Sequence, residues 1–525
     1  MQTGLHGLLA CAAREHGARI ALVEDDVARS YAELSARVAA AAARGRDAGW
    51  ARAARVAVLA PNTASFLEAY FALAGLGAIC VPLNTRLAPA ELGWILDDCE
   101  AVGLLADTRL AEVADAALAR VARVPTTVWC GPRAQGRAPH WDDWCASAAE
   151  GWTPTACAPD EPAQLYYTSG TTGNPKGVVL THGNVSTHAE SAVLELGLSC
   201  DDVWGHFAPL FHLADAWASF AITQVGGRHV CVPHFEVDAV LDAFEREGVT
   251  ITNLVPTMLN RLVNAEGVEG RDFSRLRRVL SGGAPIAPEL VRRVMRTFRA
   301  EYVQTYGMTE TSPYLTLSLL SEAHAALSEE ERFRLRAKTG RPFRGVELRV
   351  VDDAGRDVPA DGASVGEILA RGATVTPGYW RRPDATAAAF TPDGFLRTGD
   401  LATLDAFGFL DIVDRKKDVI ITGGEKVYST EVEHRLAEHP AVLEVAVWGE
   451  PDEDWGERVR ASVVLRPGRA AAPEELAAFC RERLAGFKVP RAFEFLPELP
   501  RTGSGKIAKR ALRTRSYGAA PDSSG

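Results

Sequence analysis

Thr168-Ser169-Gly170-Thr171-Thr172-Gly173-Asn174-Pro175-Lys176 sets four hydroxyl side chains among glycines and closes on a lysine. Residue types at that spacing suit a polyphosphate. Glycines let backbone N–H groups approach phosphate oxygens, hydroxyls donate further hydrogen bonds, and the lysine adds a mobile positive charge. The commonest phosphate loop places Ser or Thr directly after its lysine. Gly177 stands there instead, so this loop is of another kind. The apolar run over residues 163–167 suits a strand leading into it.

Other residues could complete such a site, although each alone is weak. Glu310 closes a Gly-containing turn after a strand candidate, and a hard Mg2+ ion prefers one or two carboxylates plus phosphate oxygens. Tyr306 offers a flat apolar face. Asp400 ends Thr398-Gly399-Asp400, where an ionised carboxylate can accept two hydrogen bonds from vicinal hydroxyls. Lys506 sits in the glycine-hinged run Thr502-Gly503-Ser504-Gly505-Lys506 near the C-terminus. His212 lies among apolar residues, where a histidine is more often a satisfied core side chain than a catalytic one.

The ordered set is far more specific than its parts. The phosphate run is followed by Pro209-Leu210-Phe211-His212, Ser281-Gly282-Gly283-Ala284-Pro285 and Tyr306-Gly307-Met308-Thr309-Glu310. Thr398-Gly399-Asp400, Asp414-Arg415-Lys416-Lys417-Asp418 and Pro500-Arg501 with the Lys506 run complete it. In order and spacing this resembles the adenylate-forming enzyme superfamily: acyl-CoA synthetases, the adenylation domains of peptide synthetases, and luciferases. Within it the chain resembles the fatty-acyl and aryl-CoA ligases. The resemblance implies ATP, Mg2+ and coenzyme A. It implies that Thr168, Ser169, Gly170, Thr171, Thr172, Gly173 and Lys176 hold the β and γ phosphates, with Thr168 and Glu310 at the metal. Gly283, Ala284 and Pro285 would face Tyr306 across adenine, and Gln304, Thr305, Gly307, Met308 and Thr309 would complete the nucleotide pocket. Asp400 and Arg415 would hold the ribose. Lys506 would offset the repulsion between the reacting carboxylate and the α-phosphate. Lys417 would be the pivot of a small C-terminal domain whose rotation withdraws Lys506 and brings up Gly423, Gly424 and Lys426, with Gly424 leaving room for a pantetheine arm.

The implied reaction is acid–CoA ligation through an acyl-adenylate, with AMP and pyrophosphate as products; the alternative loads a carrier-protein thiol. A histidine at position 212 would border the acyl carboxylate and the thiol entrance. Amino-acid-activating domains tend to carry aspartate after the equivalent phenylalanine, so Phe211-His212 argues against an amino acid, an argument that Asp215 weakens. The acyl pocket would be built near residues 204–217, 253–258, 281–285 and 309–315. Phe207, Phe211, Trp217 and Tyr314 there favour an uncharged acyl tail, and no arginine in these segments is at hand for a second carboxylate. Fatty and aryl acids are equally compatible. The resemblance leaves room for an acyl carrier protein as partner and for a homodimer.

Positioning these groups takes more than one core, and 525 residues supply it. With 47% hydrophobic and 24% charged residues the composition is globular, and a net charge of -11 disfavours nucleic acid as a partner. Nine scattered cysteines without a Cys-x-x-Cys pair fit a reducing cytoplasm. No apolar run is long enough to span a membrane, and the first 14 residues make a poor signal peptide, so a cytoplasmic location is expected. Helix candidates at 31–43 and 64–76 alternate with strand candidates at 56–60, 228–232, 251–255, 278–280 and 302–304, which predicts an α/β fold with parallel sheets. Multiplied turn signals over 345–408 predict a small β subdomain. Past Asp414 the pattern changes to helices at 431–438 and 473–484 with strands at 442–448 and 462–465. The expected organisation is a large N-terminal domain over 1–414, a hinge at 415–417, and a small mobile α+β domain over 418–525.

Overall fold

Ser30 opens the first long helix, as its position predicts. Its hydroxyl accepts from the Glu33 N–H at 3.2 Å, and the Glu33 carboxylate accepts from the Ser30 N–H at 2.7 Å, a reciprocal cap. The helix runs Tyr31–Asp47, past the expected end at 43, with Arg44 and Arg46 on its electronegative last turn. Thr63 caps Ala64–Leu76, and Gly77 at φ 66° ends it. Nearly every residue of that helix is buried, as an all-round apolar helix requires.

The structure, a computed structural model, describes residues 4–147, 149, 151–168, 175–284, 286–501 and 507–517. The chain divides into two compact units, Met1–Leu348 with Ala370–Leu396, and Arg349–Leu369 with Arg397–Gly525. The first unit is α/β and carries two largely parallel sheets. One runs from edge to edge Arg341–Pro342, Tyr314–Leu317, Glu301–Gly307, Arg278–Ser281, Ile251–Asn253, Val203–His206, Arg228–Cys231, Ile20–Glu24 and Val27–Ser30. The other runs Gly378–Tyr379, Lys176–Thr181, Pro162–Thr168, Ile79–Pro82, Arg55–Leu59, Gly103–Asp107 and Thr126–Cys130. Its first three strands pair antiparallel and the rest parallel. Crossover helices such as Pro288–Phe298, between Arg278–Ser281 and Glu301–Gly307, bring successive C-terminal strand ends to one edge. Ligands of open α/β sheets gather at such an edge.

In the second unit Leu410–Arg415 pairs antiparallel with Leu396–Leu404. Ile420–Thr422, Glu425–Val427, Val442–Asp452, Gly456–Leu465 and Ala492–Phe495 form a five-stranded sheet accompanied by helices Ser429–Ala437 and Pro473–Arg481. The core beneath that sheet includes Ile420, Leu436, Val447, Val463 and Leu476. Bonds from Lys416 to Glu367 (3.0 Å), Lys426 to Asp353 (3.2 Å) and Ser429 to Asp414 (3.1 Å) join residues on both sides of position 414. Among the described residues no helix is long and apolar enough to cross a membrane.

Candidate active site

The phosphate run is carried by an antiparallel hairpin. Tyr167 lies opposite Gly177 and Thr168 opposite Lys176, so both ends of the run are fixed by ladder pairing. Ser169, Gly170, Thr171, Thr172 and Gly173 lie outside the described residues. Gly177 is small for a packing reason: a Cβ there would come within 2.9 Å of Leu165 Cδ1 and 3.1 Å of Tyr167 Cζ. Lys176 Nζ lies 5.4 Å from the centroid of the Tyr379 ring. The Tyr379 hydroxyl donates to Glu310 Oε1 at 2.9 Å. Glu310 sits in the short turn Thr309–Thr311, which packs on the Lys176 strand, and is only 7% exposed. The expected cation and the expected metal carboxylate therefore meet on one tyrosine that the sequence reading did not single out.

The residues expected to hold the nucleotide stand at the ends of two neighbouring parallel strands, with Ser281 opposite Gln304. Thr305 Oγ1 donates to the Ser281 carbonyl at 3.1 Å. A Cβ on Gly282 would fall 2.6 Å from the Thr305 carbonyl oxygen, so the strand ends touch backbone to backbone there. Gln304 is locked by exchange with Ser318: its N–H donates to Ser318 Oγ at 2.7 Å, and its carbonyl accepts from the Ser318 N–H at 2.9 Å. Tyr306 is half-buried, Gly283 and Ala284 are exposed, and Pro285 lies outside the described residues. Gly307 is held still more tightly, since a Cβ would sit 1.8 Å from the Pro313 carbonyl oxygen. That close approach lets the Met308 N–H donate to the same oxygen at 3.0 Å, fixing the turn that bears Thr309 and Glu310.

His212 is the extended residue before helix Leu213–Gln224, with its ring 4.7 Å from that of Phe211. Asn62 shapes the approach to it. Its side-chain amide donates to the carbonyls of His206 (3.0 Å) and Ala208 (2.8 Å) and accepts from the Leu210 N–H (2.8 Å), while Tyr70 donates to the Leu210 carbonyl at 2.7 Å. Asp215 turns inward and is fully buried. It accepts from Trp204 Nε1 at 3.1 Å and from His206 Nδ1 at 2.5 Å. His206 continues to His229 at 3.0 Å, and His229 to Thr223 at 3.0 Å. Burial pushes the Asp215 carboxyl up and the His229 imidazole down. Both Asp215 oxygens are thus engaged inside the fold, which removes the sequence-level reason to consider a substrate ammonium there. Trp217, Tyr314 and Phe343 close around His188, with ring centroids 5.0–5.5 Å from it. Burial holds the His188 imidazole down at about 3, and its Nε2 accepts from the Tyr314 N–H at 3.3 Å. Phe207 does not join this group. Its ring lies against Gly205 and packs against Phe244 in a separate core cluster.

In the second unit Asp400 lies opposite Arg415 across the 396–404/410–415 ladder, 3.3 Å from its guanidinium. Gly399 at φ 73° makes the bend before it, and its carbonyl accepts from the Lys416 N–H at 2.9 Å. Asp414 is buried and accepts from the Arg415 N–H at 2.7 Å and from Ser429, which in turn accepts from Lys509 at 2.6 Å. Burial raises the Asp414 carboxyl. Lys417 is exposed. Gly423 and Gly424, at φ 58° and 84°, form the tight turn between Ile420–Thr422 and Glu425–Val427. The Trp455 ring closes over Gly423, whereas no atom lies within 4 Å of a Cβ on Gly424. Lys506 and residues 502–505 lie outside the described residues; Arg501 and Ile507 form an antiparallel bridge.

Comparison with known proteins matches the AMP-binding enzyme family over residues 9–380 and the AMP-binding enzyme C-terminal domain over 431–506. Feruloyl-CoA synthase of an Amycolatopsis species is 40% identical over 490 residues, covering 93% of this chain and 94% of that protein. The long-chain-fatty-acid–CoA ligase of Thermus thermophilus is 38% identical over 489 residues, covering 92% and 89%. Among solved structures, o-succinylbenzoate CoA synthetase of Bacillus subtilis in complex with its acyl-adenylate intermediate aligns with a TM-score of 0.83 and 33% identity over 98% of both chains.

Proposed function

The chain belongs to the AMP-binding enzyme family, the adenylate-forming acyl-CoA synthetases, and on that premise we propose that it is an ATP-dependent acid–CoA ligase for an uncharged fatty or aryl acid. The observation that carries the reading is the meeting of the phosphate hairpin and the Glu310 turn through Tyr379. In the first step a carboxylate oxygen attacks the α-phosphorus of ATP, the bond to the bridging β oxygen breaks, and pyrophosphate leaves. In the second the CoA sulfur attacks the acyl carbon, its proton is lost, and AMP departs.

Lys176 and the loop hydroxyls hold the outgoing phosphates, and Asp400 with Arg415 holds the ribose. Lys506 would offset the repulsion between the two anions of the first step, where the work is positioning and electrostatic stabilisation. Mg2+, when bound, neutralises charge on the phosphate oxygens. Glu310 and Thr168 are oxygen donors of the kind it prefers. Among the described residues no group of three or more His, Cys, Asp or Glu side chains could cage a metal, which suits an ion that takes much of its shell from the nucleotide. For the second step the small domain pivots at Lys417, and Gly424 offers an open approach for a thiol arm. The Lys426–Asp353 bond is one that such a rotation would have to release. The buried aromatic ring around Trp217 and Tyr314 supports an uncharged tail.

Pyrophosphate release with Mg·ATP across a panel of acids, with and without CoA and with products identified by mass, tests the reading. Acyl-CoA from one chemical class is the expected result. Acyl-AMP that persists in the presence of CoA would overturn the second step and point to a carrier-protein thiol. Lys506→Ala should slow pyrophosphate release by about 100-fold or more with unfolding unchanged; a near-parental rate would refute its assignment.

A further inference from the structure

We propose that Tyr379 is a positioning residue that sets Glu310 and Lys176 together, the hydroxyl fixing the metal carboxylate and the ring face seating the phosphate lysine. The inference rests on the reading of Glu310 and Lys176 as metal and phosphate groups, and it assigns a role to a residue outside every motif used to reach that reading.

The backbone of Tyr379 is built into both neighbours. The two-residue strand Gly378–Tyr379 adds to the edge of Lys176–Thr181, with Tyr379 opposite Val178, and the Trp380 N–H donates to the Gly177 carbonyl at 2.7 Å. On the other side the Thr376 N–H donates to the Glu310 carbonyl at 2.8 Å, and Thr376 Oγ1 accepts from the Gly378 N–H at 3.0 Å. Gly378, at φ 145°, has no room for a side chain, because a Cβ would fall 2.4 Å from Thr386 Cγ2. The Tyr379 N–H donates to the same threonine's hydroxyl at 3.0 Å. The ring is therefore delivered to one place by four backbone ties. From there its hydroxyl reaches Glu310 at 2.9 Å, and its face lies 5.4 Å from Lys176 Nζ.

The chemistry of the two contacts differs. A phenol donating to a carboxylate fixes which way the carboxylate points without adding charge, as partners behind metal ligands commonly do. A ring face holds an ammonium by an attraction weak enough to exchange for phosphate oxygens when the nucleotide arrives. Tyr379→Phe removes the first contact and keeps the second; Tyr379→Leu removes both.

Mn2+ binding, followed by electron paramagnetic resonance in the presence of α,β-methylene-ATP on the full chain, is the direct test. Tyr379→Phe should weaken Mn2+ about 10-fold or more, with the KM for the acid within about twofold of the parent. In a Glu310→Gln background the same change should add nothing. Tyr379→Leu should in addition raise the Kd of the nucleotide itself. Mn2+ affinity within about twofold of the parent in Tyr379→Phe would overturn the proposal, as would an equal further loss in the Glu310→Gln background. Because binding is read with an unreactive nucleotide, failure of every acid to react would refute the ligase reading and leave this test standing.

Discussion

Replacing Asp215 with alanine removes a fully buried carboxylate that accepts from Trp204 Nε1 at 3.1 Å and His206 Nδ1 at 2.5 Å. One proton assignment satisfies the whole chain of contacts: His206 donates Nδ1–H to Asp215 and accepts at Nε2 from His229, whose other nitrogen accepts from the Thr223 hydroxyl. Without Asp215, two buried donors lose their acceptor, at about 1–3 kcal/mol each. The expected loss is about 2–6 kcal/mol, the two orphaned donors together. Asp215→Asn keeps the shape and one acceptor, so it should lose about 1–3 kcal/mol. Asp215→Ala combined with His206→Ala should lose less than the sum of the two, with a coupling of about 1–3 kcal/mol. Denaturant unfolding of the parent, the two Asp215 variants, His206→Ala and the double variant, read beside turnover on a panel of acids and amino acids, is the assay. If Asp215 instead held a substrate ammonium, its alanine variant would unfold within about 1 kcal/mol of the parent and lose only amino-acid turnover. That pair of results would refute the reasoning.

Gly307→Ala should destabilise the fold by more than about 3 kcal/mol and abolish adenylation, since its Cβ would meet a carbonyl oxygen at 1.8 Å that cannot swing away; an alanine variant with parental unfolding and turnover would contradict the close approach. Stability should fall on acidification. His188 is neutral in the fold down to about 3 but takes up a proton near 6.5 when unfolded, so the unfolded state binds more protons throughout that window. Each pH unit below 6.5 should remove up to about 1.4 kcal/mol on account of this residue alone, and His188→Gln, which retains an acceptor for the Tyr314 N–H, should show a shallower decline of unfolding free energy between pH 6.5 and 5 than the parent.

Much of the scaffold was legible because local pattern sets it. Helix 64–76 is bounded by a threonine cap and a left-handed glycine, both visible in the sequence, and the strand expected at 278–280 is observed as Arg278–Ser281. Thr168 and Lys176 face each other because the strand that leads into the phosphate run returns directly after it. Asn62 and Tyr379 were not legible. The first bonds Leu210 across 148 positions and the second Glu310 across 69, and no periodicity of 2.0 or 3.6 encodes such pairs.

Asp215 marks the boundary between these cases. Its place three residues after His212 weakened the argument against an amino-acid substrate, but the strand before it held a contrary signal. Trp204 and His206 are two apart, so on a strand they share a face. A histidine and an indole sharing a face of a buried strand each bring a ring N–H that needs an acceptor. Asp215 supplies it, from the first turn of the next helix, while Asp202, nearer along the chain, accepts instead from Thr250 and Arg277. In an apolar α/β core, a polar side chain on a strand is thus better read as half of a pair than as a stray. A buried carboxylate on a neighbouring element is the first candidate for the other half, ahead of any ligand.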